Sequence, residues 1–447
     1  MSPTPVDLTA GESARVLGRV LAPLVAQGAI VRRPRATAWA ERHQTDRTAR
    51  AVLTDLRERH GGAPLVVRIG SRHLVVVTEP EDVRRLLEGS PEPFTPATKE
   101  KHAALAHFQP EGVLISSTAE RWHRRPFNEA VLQTDQPVHD DGAAVVDAVH
   151  RGAAQLTQLL ASTGRFDAQG FTDAWWGIVL EVVLGSKARG DRELIAVLDA
   201  LRRDANWAWL RPRRTRLREE LEGRIASYVQ TPEQGCLAAA AHRCGPATAV
   251  GQVPHWLFAF DAAGAATLRA LAMAAARPPV RERLLVEAEP AGPAAGPAAG
   301  SSASPALLPY ARACVLESLR LWPTTFAVLR DSTGPTDWGG RTLPAHTGFA
   351  VVSSFFHRDP ARLGHADAFV PDAWLDGRNS ADWGLIPFSG GPVACPGRNL
   401  VLLVASHLLT RLVARDLRVA RGRYLARDPV PATVDHLGLR FRVAGGA

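Results

Sequence analysis

The chain reads I-P-F-S-G-G-P-V-A-C-P-G-R-N-L-V-L-L-V-A-S-H-L-L-T-R-L-V from Ile386 to Val413. Its first part is rich in Gly and Pro and ends on a single cysteine, Cys395. Its second part is apolar at steps of three and four residues, which predicts a buried helix. The cysteine therefore lies where a loop enters a helix. The free backbone N–H groups at such a position stabilise a thiolate.

The residues around this cysteine form a longer pattern. Phe388, Gly391, Cys395 and Gly397 follow the spacing F-x-x-G-x-x-x-C-x-G. This spacing resembles the haem loop of the cytochrome P450 family. The resemblance implies that these four residues bind a haem and that the Cys395 thiolate is the axial ligand of its iron. A lone cysteine is more often a buried structural residue. The rest of the sequence must therefore decide between a structural cysteine and a haem ligand.

A second pattern precedes the cysteine. Glu317, Arg320 and Pro323 form E-x-x-R-x-x-P in an apolar segment that is predicted to be a helix over 305–321. A Glu and an Arg three residues apart usually form a surface ion pair of small value. The spacing resembles a family pattern in which the two charges are buried and support the haem loop. The later segment F-V-P-D-A-W, residues 369–374, resembles the part of the family that completes this network.

The most apolar predicted helix spans residues 254–276 and contains A-G-A-A-T at 263–267. The resemblance assigns catalytic roles to Gly264, which opens a groove for dioxygen, and to Thr267, which handles protons. A glycine inside a helix costs about 1 kcal/mol relative to alanine, so Gly264 suggests close approach by another group, with core packing as the alternative. The family has an acid where this chain has Ala266. Asp261 lies about 240° round the helix from Thr267 and does not replace that acid, so we expect water or the substrate to deliver protons, or an oxidation other than simple hydroxylation.

The haem carboxylates need cations in a partly buried place. The family commonly has Arg or His two residues before the ligand, where this chain has Val393. By resemblance the candidates are Arg330 and then a helix cluster in which Arg124 and His123 are preferred. For Arg125, an ordinary surface arginine is an equally good interpretation.

The substrate pocket follows from the positions of family substrate segments. These residues are mostly apolar, which favours a small apolar or mixed organic molecule. Core packing is the alternative for any single one. They are Phe258, Ala262, Ala263, Thr325, Phe326, Val328 and Leu437.

The periodicities predict a mainly α fold with a small β portion. Two β-like runs at 65–69 and 73–77 flank a Gly-containing turn, which predicts a hairpin. Residues 36–60 predict one long helix. The resemblance implies a single haem-thiolate domain over 1–447, and the low-complexity segment 288–305 predicts a flexible surface loop.

Composition narrows the partners. The chain has 53 basic and 45 acidic residues, a formal charge of +8, and its arginines are spread out, which indicates a solvated surface and no nucleic-acid ligand. Four cysteines in 447 residues do not form a disulfide scaffold. The N-terminal residues lack a signal-peptide pattern, and we expect no run to reach the roughly 18 apolar residues of a membrane span. We therefore expect a cytoplasmic monomer without a membrane partner.

Together these patterns predict a haem-thiolate monooxygenase of the soluble bacterial type. By resemblance it carries haem b and oxidises a small organic molecule with dioxygen, in secondary metabolism. Two electrons come from an external ferredoxin or flavodoxin-type donor, because the chain has no flavin or nicotinamide motif. One alternative is a haem-thiolate catalyst of ring closure, coupling or peroxide-driven oxidation. The other is a non-enzymatic haem-binding sensor.

Overall fold

A computed structural model describes residues 3–289, 305–379 and 382–443. It is mostly helical with a small sheet portion, as the sequence predicted. The helices are α1 Ala10–Val16, α2 Ala22–Ala26, α3 Pro34–His43, α4 Thr45–Arg59, α5 Pro80–Glu88, α6 Lys99–Leu105, α7 Thr118–Leu132, α8 Gly142–Thr163, α9 Ala168–Leu184, α10 Arg192–Ala205, α11 Thr215–Gln230, α12 Leu237–Cys244, α13 Pro246–Ala276, α14 Pro278–Ala288, α15 Pro309–Leu321, α16 Ser353–His357 and α17 Arg398–Val413. The strands are β1 Val6–Asp7, β2 Leu65–Ile69, β3 Arg72–Val76, β4 Phe94–Thr95, β5 Arg165–Asp167, β6 Ala327–Ser332, β7 Thr336–Trp338, β8 Arg341–Leu343, β9 Gly348–Val352, β10 Leu417–Arg421 and β11 Arg440–Val443.

The strands form one larger and two smaller sheets. The larger sheet has the order β1-β2-β3-β9-β6-β4, and the smaller ones have the orders β10-β11-β5 and β7-β8. Strands β2 and β3 pair antiparallel as the predicted hairpin, with Leu65 opposite Val76. The β1–β2 and β3–β9 pairs are parallel, and the other neighbours in the larger sheet are antiparallel.

The helix predicted over 36–60 is two helices, α3 and α4. They meet at Gln44, whose backbone is left-handed with φ 48°. The side-chain oxygen of Gln44 accepts a hydrogen bond from the backbone N–H of Ala432 at 2.7 Å. This contact lies nearly four hundred residues along the chain, so local periodicity carries no signal of the break.

Helix α13 runs through the main apolar core. The segment Thr248–Ala276 is long and apolar enough to cross a membrane, which corrects the expectation that no such run exists. Of its most apolar window, 72% is buried inside the protein. A second apolar core lies between the larger sheet and the helices α4 and α5. Most of the loop predicted over 288–305 lies outside the described residues. Its described residues are Ala288, which is the last residue of α14, Glu289 and Pro305.

A fully buried ion pair joins α15 to the chain that follows it. Arg320 donates from Nε to Glu317 Oε2 at 2.8 Å and from Nη2 to Glu317 Oε1 at 2.7 Å, and neither side chain is exposed. Arg320 Nη1 also donates to the carbonyl oxygens of His357 and Ala366, each at 3.0 Å. Because a buried charge is tolerated only when it is paired and hydrogen-bonded, these contacts fix the path of the chain beside α15.

Glu317 binds the segment that the sequence linked to this network. It accepts hydrogen bonds from the Val370 backbone N–H at 2.8 Å and from Trp374 Nε1 at 2.9 Å. His357 extends the network, because its Nε2 accepts from the backbone N–H of Ile386 at 3.1 Å. Ile386 is the first residue of the stretch that carries Cys395, so the start of that stretch is tied to the buried pair.

We expect Arg320→Met to lower the free energy of unfolding by about 3–5 kcal/mol, because it leaves the Glu317 carboxylate buried without its partner. The matched control is Arg59→Met in α4, since Arg59 forms an exposed pair with Asp55 at 2.9 Å and should lose no more than about 1 kcal/mol. Urea unfolding followed by circular dichroism measures both. Equal losses in the two variants would contradict the structural role of the pair.

Candidate active site

The loop that carries Cys395 is closed by its own backbone. The Cys395 N–H donates to the Phe388 carbonyl at 2.9 Å, and the Ala394 N–H donates to the Gly391 carbonyl at 3.0 Å. Gly391 has φ +64°, and a Cβ there would lie 2.1 Å from the backbone oxygen of Leu87 at the end of α5. The glycine of the loop pattern is therefore required by contact with α5 and by its own backbone conformation.

Cys395 lies at the entrance of α17 and keeps part of its surface accessible. Burial raises the pKa of its thiol, whereas the Gly397 N–H and the charges of Arg125 and Arg398 lower it. A thiol in this setting becomes a thiolate when a metal ion binds it. Beside it, a Cβ at Gly397 would meet only Leu132, at 3.8 Å. The backbone at Gly397 is thus open to a group that lies against it.

Two arginines are buried near this loop without an acidic partner. Arg330 is 3% exposed and donates to the hydroxyls of Ser90 at 2.8 Å and of Ser389, in the cysteine loop, at 3.3 Å. Arg121 is 6% exposed and donates to the Val113 carbonyl at 2.8 Å. Burial lowers the pKa of each to about 10, and the charge of Arg121 contributes to the shift of Arg330. No carboxylate of the described residues forms an ion pair with either one.

Lys101 in α6 adds a third cation. Its Nζ donates to the Pro96 and Leu329 carbonyls at 3.0 Å each. Burial, followed by the charge of Arg330, holds the pKa of Lys101 well below its usual range. The nearby acid Asp331 pairs with Arg72 instead, at 2.7 Å.

This excess of buried positive charge calls for an anion from outside the chain. The two carboxylates of a haem meet that need, and Cys395 offers its iron a thiolate. The residues present therefore fit a haem. Arg330, predicted from the sequence, contacts the loop through Ser389, and Arg121 is a residue that the sequence reasoning missed.

The structure gives the surroundings of Arg124 and His123, the preferred candidates in α7. Arg124 binds the Ser116 hydroxyl at 2.9 Å and Glu120 at 3.3 Å, and His123 is exposed. Both contacts of Arg124 are with its own helix and the turn before it, so this structure directs it away from the cysteine loop. The choice of Arg124 and His123 to hold the haem carboxylates stays a prediction.

Arg125 is the residue of α7 that reaches the loop. Its Nη1 donates to the Ala394 carbonyl at 2.8 Å, next to the cysteine, and its Nε pairs with Glu129 at 2.6 Å. Arg121 lies one helical turn earlier, on the same face. In the sequence, the signal for this face was the spacing of four residues between Arg121 and Arg125. Trp122, which is 78% exposed, lies on the outer face of α7.

Gly264 faces a tryptophan. A Cβ at this position would lie 2.7 Å from Nε1 of Trp175 in α9, and that Nε1 donates to the Phe260 carbonyl at 2.9 Å. The close approach expected from the sequence is therefore real, but the approaching group is a core side chain. This contact supports the packing alternative, and the assignment of Gly264 to a dioxygen groove stays a prediction.

The other positions of the A-G-A-A-T segment are buried in α13. Thr267 donates its hydroxyl to the Ala263 carbonyl at 2.8 Å. Ala266 is fully buried, and its carbonyl accepts from the Ser318 hydroxyl of α15 at 2.9 Å. Asp261 pairs with Arg202 of α10. The Asp261 carboxylate therefore binds another helix, which agrees with its predicted position away from Thr267 on α13.

Three predicted pocket residues belong to α13, and two of them, Phe258 and Ala262, lie about 40° apart round the helix. Phe258 is half-buried and meets the ring of Phe108 with centroids 5.6 Å apart. Ala262 is half-buried and Ala263 is buried. Phe258 and Ala262 are therefore partly accessible positions on a mostly buried helix.

The remaining pocket residues separate into two groups. Phe326 and Leu437 are half-buried, and the guanidinium of Arg32 lies 3.7 Å from the centre of the Phe326 ring. Thr325 is exposed, and Val328 pairs with Val351 in the larger sheet, where it belongs to the second core. Core packing, the alternative weighed for each residue, describes Val328.

We expect Gly264→Ala to destabilise the protein by about 1–3 kcal/mol, because the added methyl group overpacks against the Trp175 ring. The control is Gly223→Ala in the exposed part of α11, where nothing lies within 4 Å of a new Cβ. That change should stabilise the helix by about 1 kcal/mol. Thermal unfolding distinguishes the two, and a neutral or stabilising Gly264→Ala would show that the Trp175 contact is wrong.

Comparison with known proteins finds one family and several relatives. The model of the family described as Cytochrome P450 matches residues 271–415. The cyclooctat-9-en-7-ol 5-monooxygenase of Streptomyces melanosporofaciens is 32% identical over 110 residues, which is 24% of each chain. Cyclooctatin synthase of the same organism is 32% identical over 128 residues, 28% of this chain and 26% of the relative. A cytochrome P450 monooxygenase of Fusarium pseudograminearum is 33% identical over 127 residues, 28% of this chain and 22% of the relative.

These alignments span about a quarter of the length of each curated relative. The family match includes both the buried Glu317–Arg320 pair and the loop of Cys395. The family implies a haem with a cysteine thiolate ligand, and the unbalanced cations around the loop fit the same group. The match and this geometry together show that residues 271–415 are similar to the cytochrome P450 family.

Proposed function

We propose that this protein is a haem-thiolate monooxygenase that oxidises a small organic molecule. The observation that carries the proposal is the pairing of an accessible cysteine at a helix entrance with buried cations that no described carboxylate neutralises. Cys395 would bind the iron of haem b. Arg121, Arg330 and Lys101 would hold its carboxylates, with Arg125 fixing the loop through the Ala394 carbonyl.

The chain's own groups define how the site handles substrate and protons. When bound, the thiolate-ligated haem supplies dioxygen activation, which the thiolate promotes by donating electron density. Thr267 holds its hydroxyl on the Ala263 carbonyl, and Ala266 offers no proton donor. We propose that protons at this site come from water or from a group on the substrate.

The remaining parts of the proposal follow from the family and its relatives. The family implies an organic substrate, dioxygen and an electron donor, and we propose a separate ferredoxin or flavodoxin-type protein as that donor. The Streptomyces relatives are named cyclooctat-9-en-7-ol 5-monooxygenase and cyclooctatin synthase, and these names support the proposal of a role in secondary metabolism. The single domain, the monomeric state and the cytoplasmic location stay predictions.

The buried Ala266 favours a second candidate function. A site without the usual acid suits ring closure, coupling or peroxide-driven oxidation, in which proton delivery to dioxygen is less demanding. The non-enzymatic sensor has no feature in its favour among the residues described.

The proposal is tested by the absorption spectrum of the reduced, carbon monoxide-bound protein. Haem-loaded wild type should show the red-shifted Soret band of a thiolate-ligated haem. We expect Cys395→Ser to lose that band while Cys236→Ser, at another buried cysteine, retains it. A wild-type spectrum without the shift, in well-folded protein, would refute the proposal.

We expect Arg330→Leu to release haem at least about tenfold faster, because it removes a charge-assisted hydrogen bond to a carboxylate. Arg341→Leu is the matched control, since Arg341 pairs with Asp7 at 2.8 Å near the protein surface. The rate of haem transfer to apomyoglobin measures the effect. Unchanged release in Arg330→Leu would remove Arg330 from the haem site.

A further inference from the structure

A second group of buried cations lies among the predicted substrate residues. Its members are Arg32, which follows α2, Arg269 of α13, and His436 in the short turn His436–Gly438. The charges that shift the pKa of Arg269 and His436 come from within this group. The charge that shifts the pKa of Arg330 is that of Arg121 instead. The two groups are therefore electrostatically separate.

Arg269 is the central member. It is 5% exposed, and its Nε and Nη2 are buried without a hydrogen-bond partner among the described residues. It forms no ion pair with any of them. Burial, together with the charge of Arg32, lowers the pKa of Arg269 to about 9. Buried polar groups in native proteins are nearly always satisfied, so an orphaned guanidinium needs a reason.

The position of Arg269 on α13 supplies that reason. It follows Phe258 by eleven residues and Ala262 by seven, which at 100° per residue puts Arg269 within about 20° of each of them round the helix. Phe258 and Ala262 are half-buried residues of the predicted substrate pocket. The guanidinium therefore belongs to the face of α13 that borders the predicted substrate pocket.

Arg32 approaches from another part of the chain. Its guanidinium stacks 3.7 Å from the centre of the Phe326 ring and donates to the carbonyls of Thr324 and Gly28. These contacts orient the side chain against a pocket residue without neutralising its charge. Burial lowers the pKa of Arg32 to about 10, although the acids Asp261 and Asp46 oppose the shift.

His436 completes the group and stays neutral. Burial and then the charges of Arg269 and Arg32 hold its pKa well below the usual range. The adjacent residue, Leu437, is half-buried and was predicted to contact substrate. A neutral imidazole beside two arginines can donate or accept one hydrogen bond without adding charge.

The nearby acids do not balance these charges. Asp261 pairs with Arg202. Asp46 forms no ion pair in the part of the chain that the structure describes, and its pKa is raised to about 6 by burial, against the charges of Arg358, Arg50 and Arg32 in decreasing order. Neither acid pairs with Arg32 or Arg269, so the pocket keeps a net positive charge.

We propose that the substrate carries an anionic group, a carboxylate in the simplest case, on an apolar body. Arg269 binds that group with its free guanidinium nitrogens, Arg32 adds a second cation, and the apolar residues Phe258, Ala262 and Phe326 contact the body. A guanidinium matches a carboxylate in a two-point hydrogen-bonded geometry. This substrate class rests on the proposed function, because it takes the space beside α13 as the substrate pocket.

The test compares acids with their uncharged esters. Haem-loaded protein is titrated with decanoate, 4-phenylbutyrate and 1-naphthylacetate and with the three methyl esters, and binding is followed by the shift of the haem absorption band. At least one acid should bind about tenfold or more tighter than its ester, as a charge-assisted hydrogen bond predicts. Arg269→Met should abolish the preference, and the surface control Arg59→Met should keep it.

Stability gives an independent readout. Arg269→Met removes an unpaired buried charge and should raise the thermal midpoint of the ligand-free protein, the opposite of Arg320→Met. A lower midpoint would show that Arg269 serves the fold and would overturn the proposal.

The failure of every acid to bind, equal binding of acids and esters, or a preference that survives Arg269→Met would also overturn it. If any of these occurs while the reduced carbon monoxide spectrum is of the thiolate type, only the anion site is refuted. Loss of that spectrum refutes the proposed function itself.

Discussion

The rest of the structure depends on a salt bridge that has no contact with water. Glu317 and Arg320 are both fully buried, and the pair is tolerated because each remaining donor and acceptor finds a backbone or indole partner. Satisfying Arg320 brings carbonyls of the segment that begins at the end of α16 to α15. His357 belongs to that segment and also accepts the Ile386 N–H. The position of the cysteine loop is thus a consequence of the need to satisfy one buried charge pair.

The charges of this protein are balanced or unbalanced according to their task. Arg320, which supports the fold, has a carboxylate and several carbonyls around it. Among the described residues, Arg121 and Arg330 beside the cysteine loop form no ion pair, nor does Arg269 in α13, and two nitrogens of Arg269 have no hydrogen-bond partner there. Folding free energy alone disfavours such groups. Their persistence in two separate places is explained if one set binds the acids of a haem and the other binds an acid on the substrate.

The sequence predicted the parts of this arrangement that are written in local spacing. The loop pattern ending in Cys395, the E-x-x-R pair and the β2–β3 hairpin all depend on residues within a few positions of one another. Other parts depend on contacts between distant segments, which local spacing does not show. Arg124 was preferred over its neighbours because the face of α7 that meets the loop cannot be read without the packing of that helix. Gly264 was assigned to a ligand because nothing local shows that Trp175, about ninety residues earlier, fills the space beside it. The orphaned state of Arg269 is likewise visible only once every neighbour is in place.

The central claim is that Cys395 binds a haem iron in a site whose cations hold the haem acids. X-ray diffraction from crystals of the haem-loaded protein, with data collected at the iron absorption edge, tests it most directly. The account predicts one strong anomalous peak within bonding distance of Cys395 Sγ, with Arg121 and Arg330 hydrogen-bonded to the two haem carboxylates. An iron peak bonded to any other side chain, or haem carboxylates that point away from both arginines, would contradict it.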